Sequence, residues 1–305
     1  MNNIDKKILV LLGAPDPEMF RIEQVCRLLG MPILYARKGN QRVSPSQAKD
    51  SDPIEITNDY YEIIQVECRV PLKFKSYFSL PKIVTIDHHE PGDPGSEYGP
   101  SEFVRGSSLG QFLLHLSEMF TFNKLADVGF VLIPDLSFPQ PLVFCNDCWL
   151  IRDKSRNYYR ICDDFKFAMA ADHCLGAAYR GECPGVDPDQ LMSWRLQIRA
   201  EFQKVPVTDL ISKVRFAISK IKSAPIIGPN IRDLRGEVIP ELPEAGARVG
   251  EAILAGPLEE KGKAGLKKYV LQFANKEQID YFLAMGFQNP YFNYERGFAG
   301  GYREE

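Results

Sequence analysis

Short apolar runs alternate with longer amphipathic stretches over the first half of this chain. Runs rich in Val, Ile and Leu predict buried strands at residues 7–12, 31–36, 60–66 and 83–86. Apolar positions at helical spacing predict helices at residues 19–29, 109–120 and 165–179. Because strands and helices alternate, we predict an α/β fold built on a doubly wound, mostly parallel sheet.

The pattern changes toward the C-terminus. A stretch rich in Pro and Gly at residues 223–230 separates the preceding segments from a smaller group of elements. Helices are predicted before it at residues 189–202 and 207–221, and after it come strand candidates at 248–255 and 267–273 and a helix at 276–285. We therefore predict two domains, residues 1–225 and residues 226–305, the second being a smaller α+β domain.

Composition narrows the class of protein. A net charge of -3 over 305 residues gives no general attraction to nucleic acid or to a membrane surface. No apolar run approaches the ~18 residues that a membrane helix needs, and the N-terminus lacks the apolar core of a signal peptide. Seven cysteines, an odd number, favour reduced thiols in such a chain. We expect a cytoplasmic protein with no membrane partner.

The stretch from Ile83 to Asp93 combines a predicted strand with the most reactive side chains of the sequence. Asp87, His88 and His89 follow the strand directly and are followed by a turn rich in Pro and Gly. Open α/β sheets bind ligands at the carboxyl ends of their strands. Because neighbouring side chains of an extended chain point to opposite sides, we expect the two histidines to have separate roles.

Three further acidic positions have both a structural and a functional interpretation. Asp16 precedes a helix and would cap it, with Pro17 as the first helical residue. Glu67 follows the third strand, where an exposed turn is the simpler explanation. Asp172 lies in a helix rich in small apolar residues, where a buried charge needs a partner or a metal ion. Its neighbour His173 fits either a hydrogen-bonded core position or a ligand.

Asp87-His88-His89 resembles the DHH signature of the DHH phosphoesterase superfamily, which includes single-strand exonucleases, phosphatases of very short RNAs and family II pyrophosphatases. The order of the acids is also similar. Pro15-Asp16-Pro17-Glu18 stands where that family has Pro-Asp-x-Asp, Glu67 where it has a single Asp, and Asp172 where it has an acid after an Ala-rich run. Two Asp positions are Glu here, and Leu12 occupies a position that is often histidine.

The resemblance implies a role for each of these side chains. The metal ligands would be Asp16, Glu18, Glu67, His88 and Asp172, holding one or two divalent ions, with Mn²⁺ expected. His89 would face the phosphate, Asp87 would orient the histidines and Arg180 would clamp a phosphate oxygen, with Arg105 as the other candidate for that clamp. Ser107 and Ser108 open a helix whose start would bind substrate; the alternative is that one of them only caps it.

Two other motifs are weaker. Cys145-x-x-Cys148 has the spacing of a zinc knuckle, and a structural zinc ion is one reading of it, although a second such pair is absent. Residues 297–302, Gly-Phe-Ala-Gly-Gly-Tyr, resemble a degraded form of the Gly-rich loop that closes the second domain of DHH proteins. A flexible tail explains them equally well.

These observations predict a metal-dependent phosphoesterase that hydrolyses a phosphate ester of a nucleotide or short oligonucleotide through a metal-activated water. The alternative is a catalytically inactive DHH-like protein that binds a nucleotide or a protein partner. A third hypothesis treats the Asp-His-His tripeptide as chance and the chain as another α/β protein, with or without a zinc knuckle. A homodimer is one oligomeric state open to each of them.

Overall fold

A computed structural model describes residues 8–57, 60–75, 80–90, 92–134, 136, 138–259 and 265–304. The start of the first predicted strand, Lys7, and Pro91 of the turn after the Asp-His-His tripeptide lie outside these residues. The chain divides into two compact units, Met1–His173 and Cys174–Glu305. Within the described residues, no helix is both long enough and apolar enough to cross a membrane.

The first unit contains parallel and antiparallel sheets together with four α-helices in its described part. Its strands are β1 (Ile8–Leu12), β2 (Ile33–Tyr35), β3 (Arg37–Lys38), β4 (Gln41–Arg42), β5 (Ile54–Ile56), β6 (Glu62–Val66), β7 (Leu72–Phe74), β8 (Lys82–Ile86), β9 (Val131–Ile133), β10 (Leu142–Cys145), β11 (Cys148–Arg152) and β12 (Tyr158–Arg160). Its helices are α1 (Pro17–Leu29), α2 (Phe103–Gly106), α3 (Ser108–Ser117) and α4 (Asp163–His173). The prediction of a mixed α/β protein is confirmed.

A parallel sheet in the order β2-β1-β6-β8 carries the site. All five residues of β1 and of β6 are buried, as expected for central strands of a parallel sheet. Helices α1, α3 and α4 pack against one another; α1 contacts β1, and α3 contacts β8. Leu9 and Leu11 of β1 pack instead against Val43, Ile56 and Val70. In the described part of the chain, short strands and loops cover this second face, where a doubly wound sheet would place helices.

The start of α1 shows how sequence fixes the local structure. Asp16 is its N-cap, with an extended backbone, and its Oδ1 accepts a hydrogen bond of 2.6 Å from the Met19 amide. Pro17 is the first helical residue, as predicted, because its missing N–H has no intrahelical partner in any case. This cap turns the chain from the carboxyl end of β1 into the helix and holds Asp16 at the edge of the sheet.

A second sheet, in the order β10-β11-β12-β9, is antiparallel. Cys145 and Cys148 face each other across the β10–β11 hairpin. The two residues between them, Asn146 and Asp147, both have positive φ angles, 47° and 58°, which is the geometry of a type I′ turn. A two-residue hairpin therefore joins β10 to β11.

The second unit is mostly antiparallel and larger than the predicted domain. Its helices are α5 (Leu175–Tyr179), α6 (Pro188–Gln203), α7 (Val207–Ser223), α8 (Leu242–Val249) and α9 (Lys276–Ala284). Its strands are β13 (Ile226–Ile227), β14 (Ile231–Arg235), β15 (Ala252–Glu259), β16 (Leu266–Gln272), β17 (Gln288–Asn293) and β18 (Phe298–Glu304), and they form one sheet in the order β13-β14-β15-β16-β18-β17.

The boundary between the units falls after His173, whereas the sequence suggested residue 225. The boundary precedes α7 because this helix packs in the hydrophobic core of the second unit. Its buried residues Leu210, Val214 and Ile221 pack with Leu234 of β14 and Ile253 of β15. The predicted helix over residues 165–179 is likewise two helices, α4 and α5, because the residue between them has a non-helical backbone with φ -151° and ψ 47°.

Two predictions in this unit need correction. The strand predicted at 248–255 begins only at Ala252, because α8 continues to Val249. The Gly-rich segment is neither a loop nor a tail: it forms β18, between β16 and β17. A Cβ atom at Gly300 would lie 2.2 Å from the Tyr291 ring, and one at Gly301 would lie 2.6 Å from Cβ of Phe287. Packing of aromatic side chains on this strand explains its glycines.

Candidate metal centre

The carboxyl ends of three parallel strands bring the predicted side chains together. Asp16 and Glu18 follow β1, Glu67 follows β6, and the Asp-His-His tripeptide follows β8. Because these strands are neighbours in the sheet and run in one direction, their ends share an edge. Asp172, near the end of α4, completes the group.

Four side chains form a cluster that could hold a metal ion. Glu67, His88, His89 and Asp172 each offer one ligand atom, and these atoms all lie within 4.8 Å of one another. Among the described residues, this is the one group of three or more Asp, Glu, His or Cys side chains with that geometry. Two imidazoles with two carboxylates suit manganese, iron or zinc better than magnesium or calcium, which prefer oxygen ligands alone.

His88 lies at the centre of the cluster and is fully buried. Its Nε2 is 3.0 Å from Asp172 Oδ2, and its Nδ1 is 3.2 Å from Ser108 Oγ and 3.9 Å from Glu67 Oε1. The imidazole is therefore held between two carboxylates and a hydroxyl.

The expectation that His88 and His89 point to opposite sides is wrong. Their rings are stacked, with centroids 4.4 Å apart. Strand β8 ends at Ile86, so the alternation of an extended chain does not continue into the histidines. The backbone turns because Asp87 Oδ1 accepts a hydrogen bond of 2.8 Å from the His88 amide and one of 2.9 Å from His89 Nδ1. Asp87 thus orients His89, as the resemblance implied.

Negative charge is concentrated around this cluster. Burial, followed by the negative charges of Asp172 and Glu67, raises the pKa of Glu18 well above its usual value. Burial and the charges of Asp172 and Asp16 raise the pKa of Glu67 in the same way. Burial and the charge of Asp172 raise the pKa of Asp16 to about 7. A divalent cation would relieve this repulsion.

Asp172 and His89, in contrast, carry charges at neutral pH. Burial opposes the charge on Asp172, but hydrogen bonding and the charges of the two histidines hold its pKa well below the usual range. Burial likewise opposes the charge on His89, but its bond to Asp87 and the charges of Glu67 and Asp172 raise its pKa to about 9. At neutral pH the cluster therefore contains the Asp172 carboxylate and a protonated His89 ring.

The buried carboxylate oxygens that accept no hydrogen bond include Glu18 Oε2 and Glu67 Oε1. An unsatisfied buried oxygen costs roughly 1–3 kcal/mol. Glu67 also has a positive φ of 49°, which is uncommon for a residue with a side chain. Its amide nevertheless donates a 2.8 Å hydrogen bond to the Ile86 carbonyl, which fixes this conformation. These features fit a side chain positioned for a cation.

Glu18 and Asp16 lie beside the cluster but do not belong to the group of four. Glu18 Oε1 accepts a hydrogen bond of 2.9 Å from the Leu109 amide at the start of α3. That helix start is therefore occupied by a side chain of the protein. Ser107 caps α3 by accepting a hydrogen bond from the Gly110 amide, which confirms the capping interpretation. Ser108 contacts His88, and both serines are fully buried.

The other predicted residues have partners of their own. Arg180 belongs to the second unit, where it forms a bidentate ion pair with Glu182 at 2.7 and 2.8 Å. Arg105 lies 3.8 Å from Glu102. His173 is buried, and its Nε2 is 2.9 Å from the Tyr98 carbonyl oxygen, as expected for a core histidine.

The cysteine pair lacks further ligands. Within the described residues, Cys145 and Cys148 belong to no group of three or more possible metal ligands. They supply two of the four ligands that a structural zinc site needs.

Sequence reasoning missed two basic residues between β2 and β5, Arg42 in β4 and Lys49. Lys49 Nζ lies 3.8 Å from Asp87 Oδ2 and 2.7 Å from Glu90 Oε2. Arg42 Nε donates a hydrogen bond of 2.7 Å to the Gly13 carbonyl. These contacts stabilise the chain segments after β1 and β8, from which predicted site residues project. Such contacts cannot be predicted from the sequence, because they depend on the path of the chain across the sheet edge.

The pKa values predict an unusual dependence of stability on pH for the metal-free protein. Asp16 and His89 have folded pKa values of about 7 and about 9, above their ordinary values of 3.8 and 6.5. The folded state therefore binds more protons than the unfolded chain, and the stability these groups contribute is lost as the pH rises from about 4 to about 9. We expect a lower urea midpoint at pH 8 than at pH 5 in the presence of a chelator.

Saturating Mn²⁺ should reverse this trend, because metal ligands bind in their deprotonated forms. The Asp87 carboxyl has a folded pKa of about 2, so the stability that it contributes is lost only as the pH falls below its ordinary pKa of 3.8. A metal-free protein that is more stable at pH 8 than at pH 5 would contradict these assignments.

A scan against protein-family models and a search of curated proteins both give no match for this chain. The resemblance to DHH phosphoesterases therefore stays a prediction based on motifs and their order.

Proposed function

We propose that this protein is a divalent-metal-dependent phosphoesterase, with a DHH-like first domain, that acts on a nucleotide or short oligonucleotide. The observation that carries the proposal is the cluster of Glu67, His88, His89 and Asp172, whose ligand atoms lie within 4.8 Å of one another. Its position at the carboxyl edge of a parallel sheet supports a role in ligand binding.

In this proposal Glu67, His88 and Asp172 hold the ion. Buried carboxylate oxygens without hydrogen bonds and carboxylates crowded together would both be stabilised by a bound cation. When bound, a divalent ion lowers the pKa of a coordinated water and stabilises charge on phosphate oxygens. Manganese is the expected metal.

His89 has a different task. It is the most exposed side chain of the cluster, with 49% of its surface accessible, and its Nδ1 is bonded to Asp87. Its raised pKa keeps the ring protonated at neutral pH. His89 can therefore donate a hydrogen bond to a non-bridging oxygen of the phosphate, or a proton to the departing oxygen. Asp87 fixes the orientation of the ring, and Lys49 lies against Asp87 from the other side.

The described residues favour a single ion. A second ion would need Asp16 and Glu67 together with a third ligand, and the family position that often supplies a histidine is Leu12, which is fully buried in β1. We expect purified protein dialysed against Mn²⁺ to retain one ion per chain by elemental analysis. Two ions per chain would contradict the single site.

Activity is tested by release of p-nitrophenol from bis(p-nitrophenyl) phosphate and of mononucleotides from a short oligonucleotide, with and without Mn²⁺. The proposal predicts product only when the metal is present. Retention of one ion without hydrolysis of either substrate would favour the second candidate, an inactive DHH-like protein that binds a nucleotide or a protein partner. The replacement of two Asp positions by Glu18 and Glu67 is the observation that favours that candidate.

A further inference from the structure

Two buried thiols lie unusually close together in the second unit. The Sγ atoms of Cys174 and Cys183 are 3.0 Å apart, and each residue is only 2% exposed. Unbonded carbon atoms pack at roughly 3.5–4.0 Å, so these larger sulfur atoms are closer than ordinary packing brings them. A disulfide has its sulfurs about 2.05 Å apart, so an approach of about 1 Å would complete the bond.

The backbone holds the two cysteines in this arrangement. Cys174 accepts a hydrogen bond of 2.9 Å at its carbonyl from the Ala178 amide, and Cys183 accepts one of 3.1 Å from the Val186 amide. Between them, the Glu182 amide donates to the Ala177 carbonyl at 3.0 Å, which folds the chain back after α5. The proximity of the sulfurs therefore follows from local structure, and closing the bond orders little additional chain.

We propose that Cys174 and Cys183 form a reversible intramolecular disulfide when the protein meets a peroxide or a low-molecular-weight disulfide. With hydrogen peroxide, one thiolate attacks an oxygen atom to give a sulfenic acid and water. The second thiol attacks that sulfur, which forms the S–S bond and releases another water. The two thiols lose two hydrogen atoms, and the peroxide is reduced to two water molecules. This inference is independent of the proposed hydrolytic function.

Access to the pair comes through the segment after α5. Gly181 and Glu182, immediately before Cys183, are exposed, and Asp187 is exposed after it. Such a surface segment opens locally at a small fraction of the cost of global unfolding. Cys26 provides a contrast: it is fully buried, and burial raises the pKa of its thiol to about 12. It should stay reduced under the same conditions.

The hairpin cysteines, Cys145 and Cys148, are the internal competitor, since they also face each other across two strands. The experiment therefore uses the full-length protein and its Cys145→Ser/Cys148→Ser variant. Both are reduced, desalted and treated with a graded series of hydrogen peroxide or glutathione disulfide. They are then denatured and alkylated, and the linked peptides are identified by mass spectrometry.

We expect a peptide pair linked through Cys174 and Cys183 in both proteins, lighter by two hydrogen atoms and restored to thiols by dithiothreitol. The oxidised double variant should melt at a higher temperature than its reduced form. Adding Cys183→Ala should remove both effects. The proposal is overturned if Cys174 and Cys183 are still alkylated as thiols at oxidant concentrations that link Cys145 to Cys148. Because the mapping is done on the unaltered chain, this outcome does not depend on the folding of any variant.

Discussion

Asp172→Asn is expected to abolish manganese binding and the hydrolysis that depends on it. Asp172 Oδ2 lies 3.0 Å from His88 Nε2, and its carboxylate is one of four possible metal-binding groups whose atoms lie within 4.8 Å of one another. The amide keeps the shape of the side chain but removes its negative charge. Loss of a residue behind the ligands typically weakens metal affinity 10–100-fold, so loss of a direct ligand should weaken it by about 100-fold or more.

The measurement for this variant is calorimetric titration with Mn²⁺, supported by the shift in melting temperature that the ion produces. The matched control is Asp163→Asn on the same helix. The Asp163 side chain is 67% exposed and forms an ion pair with Lys166, so the substitution should change neither quantity. If Asp172→Asn binds Mn²⁺ as tightly as the unaltered protein, the assignment of Asp172 as a ligand fails.

Gly13→Ala is expected to lower the stability of the fold and to disturb the metal centre at the same time. Gly13 follows β1, and a Cβ atom there would lie 2.4 Å from the Glu67 carbonyl oxygen and 3.1 Å from that of Val66. Both obstacles are backbone atoms of the neighbouring strand end, so no side chain can move to relieve the contact. Overpacking of this kind costs roughly 1–3 kcal/mol or more.

Because the displaced backbone belongs to Glu67, the variant should also lose metal affinity. The control is Gly176→Ala in α5, where a Cβ atom would make ordinary contacts of 3.4 Å or longer. Urea denaturation and Mn²⁺ titration of the two variants separate the effects. An unchanged midpoint for Gly13→Ala would mean that β1 and β6 do not approach each other as closely as described.

Much of the sheet could be predicted because its strands are short, apolar and buried along their whole length, as in β1 and β6. The second unit was harder. Strand β16 was predicted at residues 267–273, but β17 is almost entirely exposed and lacks the apolar runs that mark the first sheet. Its Gly-rich strand β18 has the composition of a loop. The side chains that pack on it, Tyr291 and Phe287, lie elsewhere in the sequence, so a local pattern does not reveal the strand.

The candidate site could be predicted from the sequence because of the topology of the sheet. Side chains placed directly after neighbouring parallel strands must meet at one edge, so Glu67 and His88 could be paired before any coordinates. The stacking of His88 on His89 could not, because it depends on where β8 stops. The contact between Lys49 and Asp87 could not be predicted either, because it depends on the path of a loop.

Diffraction from a crystal grown with Mn²⁺, collected at a wavelength where manganese scatters anomalously, tests the central claim most directly. We predict one anomalous peak per chain, at bonding distance from the carboxylates of Glu67 and Asp172 and from the His88 imidazole. A crystal with saturating manganese and no peak among these three side chains, or with its ion held elsewhere, would contradict the proposed metal centre.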